Sequence, residues 1–105
     1  MNATASAYKL FDNVELSRFE FRHGTDSELV PRIEYVVAPH EVVYLTHTRV
    51  PPELEGQGIA SAMTGAVFRE LDRRGWQVVP VCPYIVAYLE RHPEWERLVA
   101  DRFEE

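Results

Sequence analysis

The 105-residue chain reads as a single α/β domain of the α+β kind, an antiparallel strand meander followed by a β-α-β unit and C-terminal helices. Three observations carry this reading. Residues 16–22, 29–37 and 42–50 alternate apolar with polar side chains or are rich in β-branched and aromatic residues, and only short turns separate them. Residues 59–71 switch to helical spacing directly after a glycine turn. A further β-type stretch, 76–82, follows that helix, and a strand that returns after a helix runs parallel to the strand before it.

The elements are justified in order. Residues 1–7 are small and polar and are expected to fray. Alternation begins at Leu16 or Phe19 and ends at the turn His23-Gly24-Thr25-Asp26. In the second strand Ile33, Tyr35 and Val37 are expected on one side, with Arg32, Glu34 and Val36 on the other. Ala38-Pro39-His40-Glu41 is the next turn. Residues 42–50 form the strongest strand, and Pro51-Pro52 stop it because neither residue can donate to a ladder. Ile59, Ala62, Met63, Ala66, Val67, Glu70 and Leu71 make one helical face, apolar except for Glu70. Gly65 and the alanines suit a helix lying close on a sheet. Arg73-Arg74-Gly75 places cations at the negative pole and glycine at the cap. Pro80 inside 76–82 implies incomplete pairing, and Pro83 ends that strand. Residues 84–91 read as a short helix buried through Ile85, Tyr88 and Leu89. Pro93 starts a last helix, 94–103, with Trp95, Leu98, Val99 and Phe103 facing inward.

Charge and composition exclude several classes. A net charge of -6 argues against a nucleic-acid module, which carries a basic stripe, and favours a cationic partner. The lone Cys82 has no internal disulfide partner, so a reducing, cytoplasmic setting is expected. No apolar run has the length of a membrane span, and the start lacks the pattern of a secretory signal, so no membrane partner is expected. The four histidines and one cysteine show no metal-ligand spacing, so no metal is expected.

The stretch Leu54-Glu55-Gly56-Gln57-Gly58-Ile59-Ala60-Ser61 carries the strongest chemical signal. A glycine-rich turn between strand and helix lets backbone approach a ligand, and the helix start offers unpaired N–H groups to an anion such as a diphosphate. The same residues also suit a plain turn with close packing.

The slot Glu55-Gly56-Gln57-Gly58-Ile59-Ala60 resembles the signature of the GNAT acetyltransferase superfamily, which is Arg or Gln, two residues, Gly, one residue, Gly or Ala. Gly58 and Ala60 match; Glu55 stands where Arg or Gln is expected. With His47-Thr48-x-Val50-Pro51, Val79-Pro80-x-Cys82-Pro83-Tyr84 and Arg91-His92-Pro93-Glu94, the chain looks like a small single-domain branch of that superfamily over roughly residues 10–96. The resemblance implies acetyl-coenzyme A held between two splayed parallel strands, residues 42–50 and 77–82. It implies cofactor contacts from Val50, Glu55, Gly56, Gln57, Gly58, Ile59, Ala60, Ser61, Cys82, Tyr84 and Tyr88. The implied reaction is acetyl transfer to the amine of a small molecule or protein.

Three residues are candidates for the chemistry. Tyr88, with Tyr84 as its rival in sequence, falls where the superfamily places a general acid for the leaving thiolate. Its other reading is a core aromatic. Cys82 ends the strand beside the thioester and could carry the acyl group or simply pack. His47 could take a proton from the amine or activate Cys82, or be a polar residue satisfied by backbone. Glu55 and the lack of the superfamily's N-terminal helices leave two other readings open. One is a non-catalytic coenzyme-A-binding or protein-interaction module, the other an α/β domain with no cofactor.

Overall fold

The computed structural model describes residues 7–24 and 29–100. Five strands form one sheet in the order β1-β2-β3-β4-β5: β1 (Lys9–Asn13), β2 (Arg18–Arg22), β3 (Arg32–Ala38), β4 (Val42–Arg49) and β5 (Gln77–Pro80). The first four pair antiparallel in sequence order, and β5 joins β4 in parallel after helix α1 (Ile59–Arg74). Helix α2 (Pro83–Arg91) follows, then a 3₁₀ segment, Pro93–Leu98. The expected architecture therefore stands, with an extra strand at its start.

One sheet face is buried under both helices. Phe19, Phe21, Ile33, Tyr35, Val43, Leu45 and Val78 share a core with Ile59, Met63, Val67, Phe68 and Leu71 of α1 and Ile85, Tyr88 and Leu89 of α2. Val37 faces the same side at the strand end but is half exposed, uncovered by either helix.

Strand β1 escapes a pattern reading because, after Lys9 outward and Leu10 inward on the core, its alternation is inverted at Phe11-Asp12. Phe11 points outward beneath the Arg22 guanidinium, 3.7 Å from the ring centre, whereas Asp12 points inward. There Asp12 accepts from the Tyr35 hydroxyl at 2.6 Å and from Arg74 at 2.9 Å. The helix expected over 94–103 is, in its described part, the 3₁₀ segment followed by extended backbone at Val99 and Ala100. Val99 bridges Val78 in parallel, and the Ala100 N–H donates to the Val78 carbonyl at 2.9 Å, so the tail satisfies the free edge of β5. Phe103, Thr25, Asp26 and residues 1–6 lie outside the described residues. Gly65 serves α2 rather than the sheet: a Cβ there would stand 3.1 Å from the Tyr88 hydroxyl.

The open face carries charge. The Glu20 carboxylate is buried and accepts from Arg22 at 2.6 Å, Arg18 at 2.8 Å and Asn13 at 2.9 Å. Burial pushes this carboxyl up, but the hydrogen bonds from Arg18, Arg22 and Asn13 outweigh it and hold the pKa at about 2, below the ordinary 4.5. A folded-state pKa below the unfolded one gives stability that is complete above pH 4.5 and lost as the pH falls toward 2. Acid titration of thermal stability is expected to show this loss, and Glu20→Gln to flatten it. The same variant should cost about 1–3 kcal/mol at neutral pH, the worth of charge-assisted hydrogen bonds left unmade. An unchanged melting temperature at pH 7 would refute the assignment.

Candidate active site

The site is built where β4 outlasts β5. The parallel ladder ends at Leu45↔Pro80, and the Val81 and Cys82 N–H groups then both donate to the Leu45 carbonyl, at 3.1 and 3.0 Å. Pro83 opens α2 immediately, so the chain turns away. Strand β4 continues to Arg49 with no strand on that side. The parallel pairing thus ends at Pro80, which has no N–H, and the edge of β4 beyond Leu45 is left without a strand beside it.

A β-bulge sets which side chains face this gap. Glu34 pairs with His47 but Tyr35 pairs with Leu45, so Thr46 is the extra residue; its hydroxyl donates to the Glu34 carbonyl at 3.2 Å. Without the bulge, His47 would follow Val43 and Leu45 onto the core face. With it, Thr48 takes that face, opposite buried Ile33, and His47 shares the open face with Glu34. His47 Nδ1 lies 3.3 Å from Glu34 Oε1. The structure thus does not bring His47 to Cys82, as the sequence reading expected. Thr48 is there instead: the Cys82 thiol donates to its Oγ1 at 3.4 Å near the closed end of the gap.

Cys82 is buried, with 7% of its surface exposed, at the position preceding α2. Burial pushes its pKa up, but hydrogen bonding with the Thr48 hydroxyl and with backbone at Ile85, Tyr84 and Thr48 outweighs it, and the thiol titrates below its ordinary value. Removing the hydroxyl with Thr48→Val should therefore raise the thiol pKa. Thiol alkylation followed against pH is expected to move its midpoint upward, and an unmoved midpoint would refute the pairing.

The turn before α1 is open to a ligand. Gly56 and Gly58 sit at φ 83° and 76°, a region that favours glycine, and a Cβ built on either meets nothing within 4 Å. Gly58 is the N-cap of α1; no side chain caps the helix, and its first turn holds no acidic residue. The leading N–H groups and the dipole are thus left for an anion. A cavity of about 570 Å³ lies beside them, walled by Thr48 and Val50 at the end of β4, by Glu55 and Ala60 on either side of the turn, and by Tyr84; Gly56, Gln57, Gly58 and Cys82 border it without lining it.

The other expected contacts fall elsewhere. Ile59 is buried in the core. Ser61 and Tyr88 line a second cavity of about 460 Å³ beside Tyr8 and Ala62. The Tyr88 ring packs between Phe68 and His92, at centroid distances of 5.9 and 4.1 Å, and burial is the main cause that raises its pKa. Tyr84, the rival tyrosine, is the one in the larger cavity. Burial also raises its pKa, against the opposing pull of Arg91. Among wall residues the sequence reading missed are Thr48, Arg32 and Arg49. The bulge that orients them leaves no trace in the alternation of residues 42–50.

The sequence profile of the GCN5-related N-acetyl-transferase family matches residues 18–98, most of the chain. The chain belongs to this family. The fold agrees with it. The solution NMR structure of a "GCN5-like putative N-acetyltransferase" from Staphylococcus aureus is similar, with a TM-score of 0.66 and 20% identity, covering 90% of each chain. No curated protein matches the chain. This chain combines a β4 edge left open beyond Leu45 and an uncapped glycine turn with a glutamate, Glu55, in the cavity wall. Among the described residues no helix is long and apolar enough to cross a membrane.

Proposed function

We propose that this family member binds acetyl-coenzyme A in the 570 Å³ cavity and transfers the acetyl group to an amine. The observation that supports the reading is the placement of that cavity: its walls run from Glu55 and Ala60, which flank the uncapped helix start, to Thr48, which is hydrogen-bonded to the Cys82 thiol. The glycine turn and the first N–H groups of α1 would hold the phosphates. The unpaired edge of β4 would hold the amide-bearing arm. A reducing cytoplasmic setting would keep Cys82 a thiol.

In this reading Cys82 carries the acyl group. Its thiolate attacks the thioester carbonyl, the bond from that carbon to the coenzyme sulfur breaks, and coenzyme A leaves with a proton. The neutral amine then attacks the acetyl-cysteine carbon, the bond to Sγ breaks, and the amine's proton passes to solvent. Tyr84 is the wall residue suited to protonate the leaving sulfur, since a raised pKa keeps its hydroxyl a donor at neutral pH. Tyr84→Phe should slow transfer of the order of 10²-fold, and Tyr88→Phe should slow it little. The reverse ranking in steady-state rates would return the role to Tyr88.

The binding half is tested by melting. A ligand that binds only the folded state stabilises it by about 2.7 kcal/mol at a hundredfold excess over its dissociation constant. Acetyl-coenzyme A is expected to raise the melting temperature. No shift at millimolar ligand, with calorimetry also silent, would leave the non-catalytic interaction module.

A further inference from the structure

We infer that the acceptor amine carries a compact anionic group, a carboxylate or phosphate, which Arg32 and Arg49 hold at the open-face end of the transfer cavity. This rests on the reading that the cavity is the transfer site. The two arginines are directly opposed partners across β3 and β4, on the same face of the sheet. Like charges in that position repel each other. Elsewhere on this face arginine charge is matched. Arg18 and Arg22 share the Glu20 carboxylate, and the Arg32 Nε donates to Glu34 at 3.1 Å. Arg49 has no ion pair or hydrogen bond among the described residues, and it is exposed. Both arginines nevertheless line the same cavity as Thr48 and Tyr84.

Their position separates them from the phosphate end. Thr48 lies on the helix-covered face and Arg49 on the open one, so the cavity wraps around the unpaired edge of β4. A thioester seated on the helix side would then be met by an amine arriving from the open side, past the two guanidiniums. A pair of planar forks suits a carboxylate or phosphate, which accepts two or more charge-assisted hydrogen bonds. Arg32 is paired with Glu34, and Glu55 adds a negative charge nearer the glycine turn, so the unmatched cation of this wall is Arg49; at that end of the cavity an amine of amino-acid or phosphoamine type is favoured over polyamines and basic peptides.

The test titrates the full chain, followed by amide NMR, with β-alanine and O-phosphoethanolamine against the neutral partners β-alaninamide and ethanolamine. It is run with and without saturating coenzyme A. The anionic amines are expected to shift the Arg32 and Arg49 amides and to bind at least about tenfold tighter than their neutral partners. Arg49→Gln and, separately, Arg32→Gln should remove that preference. Equal affinity of the two sets, including no binding of either, overturns the inference. So does a loss of coenzyme A affinity in Arg49→Gln that vanishes with 3′-dephospho-coenzyme A, because the guanidiniums would then serve the cofactor's own phosphate. If coenzyme A fails to bind the wild type, the acetyl-transfer reading falls, while the comparison of amines without it still decides the arginine pair.

Discussion

Cys82→Ala is expected to lose acetyl transfer almost completely while keeping its affinity for coenzyme A. The thiol is the only nucleophile of its kind in the chain, and it stands at the apex of the gap with a pKa below its ordinary value. Hydrogen bonding with the Thr48 hydroxyl and with backbone at Ile85, Tyr84 and Thr48 lowers the pKa of this buried thiol, as the proposed acyl-carrier role requires. The alanine variant deletes one small side chain beside Thr48, so the fold should survive, and melting in the presence of coenzyme A checks both points. Substantial activity in this variant, with no acetyl group trapped on the wild type, would mean direct attack of the amine on the thioester and would reduce Cys82 to packing.

Gly58→Val is expected to abolish coenzyme A binding. Two physical effects add. Valine is poorly tolerated at φ 76°, so the turn must distort at a cost of about 1–3 kcal/mol. In addition, the new side chain would project into the space beside the helix start, where the protein itself places no atom within 4 Å and where a diphosphate would approach the backbone. Calorimetry should find no binding in a variant whose circular dichroism is native. Gly24→Val separates the two effects, because it has the same kind of backbone strain, at φ 73°, and lies away from the cavity. It should lose stability and keep binding. Glu55→Arg should tighten binding by placing a cation at the cavity wall beside a polyanion; weaker binding would show that Glu55 has another task.

Much of this was readable from the residues, and the exceptions have physical causes. The β-branched run of 42–50, the helical spacing of 59–71 and the Arg-Arg-Gly end are strong local signals, and tertiary structure agrees with them. Strand β1 is hidden because, beside the inward Leu10, its other inward residue is Asp12, satisfied by Tyr35 and Arg74, while Phe11 faces outward. The tail after Leu98 was misread because Trp95, Leu98 and Val99 have helical spacing, yet the free edge of β5 offers Val99 and Ala100 a ladder. In the site, the glycine turn was legible from composition alone. The exchange of His47 for Thr48 was not, because one extra residue in β4 reverses inward and outward for everything after it.

The central claim is that the thioester lies at the Thr48–Cys82 contact, and amide NMR of the wild type titrated with acetyl-coenzyme A tests it most directly. Shifts confined to residues 46–60 and 81–84 are the predicted result. Shifts gathered instead around Tyr8, Ala62 and Arg69, in the second cavity, with Thr48 and Cys82 unmoved, would contradict it.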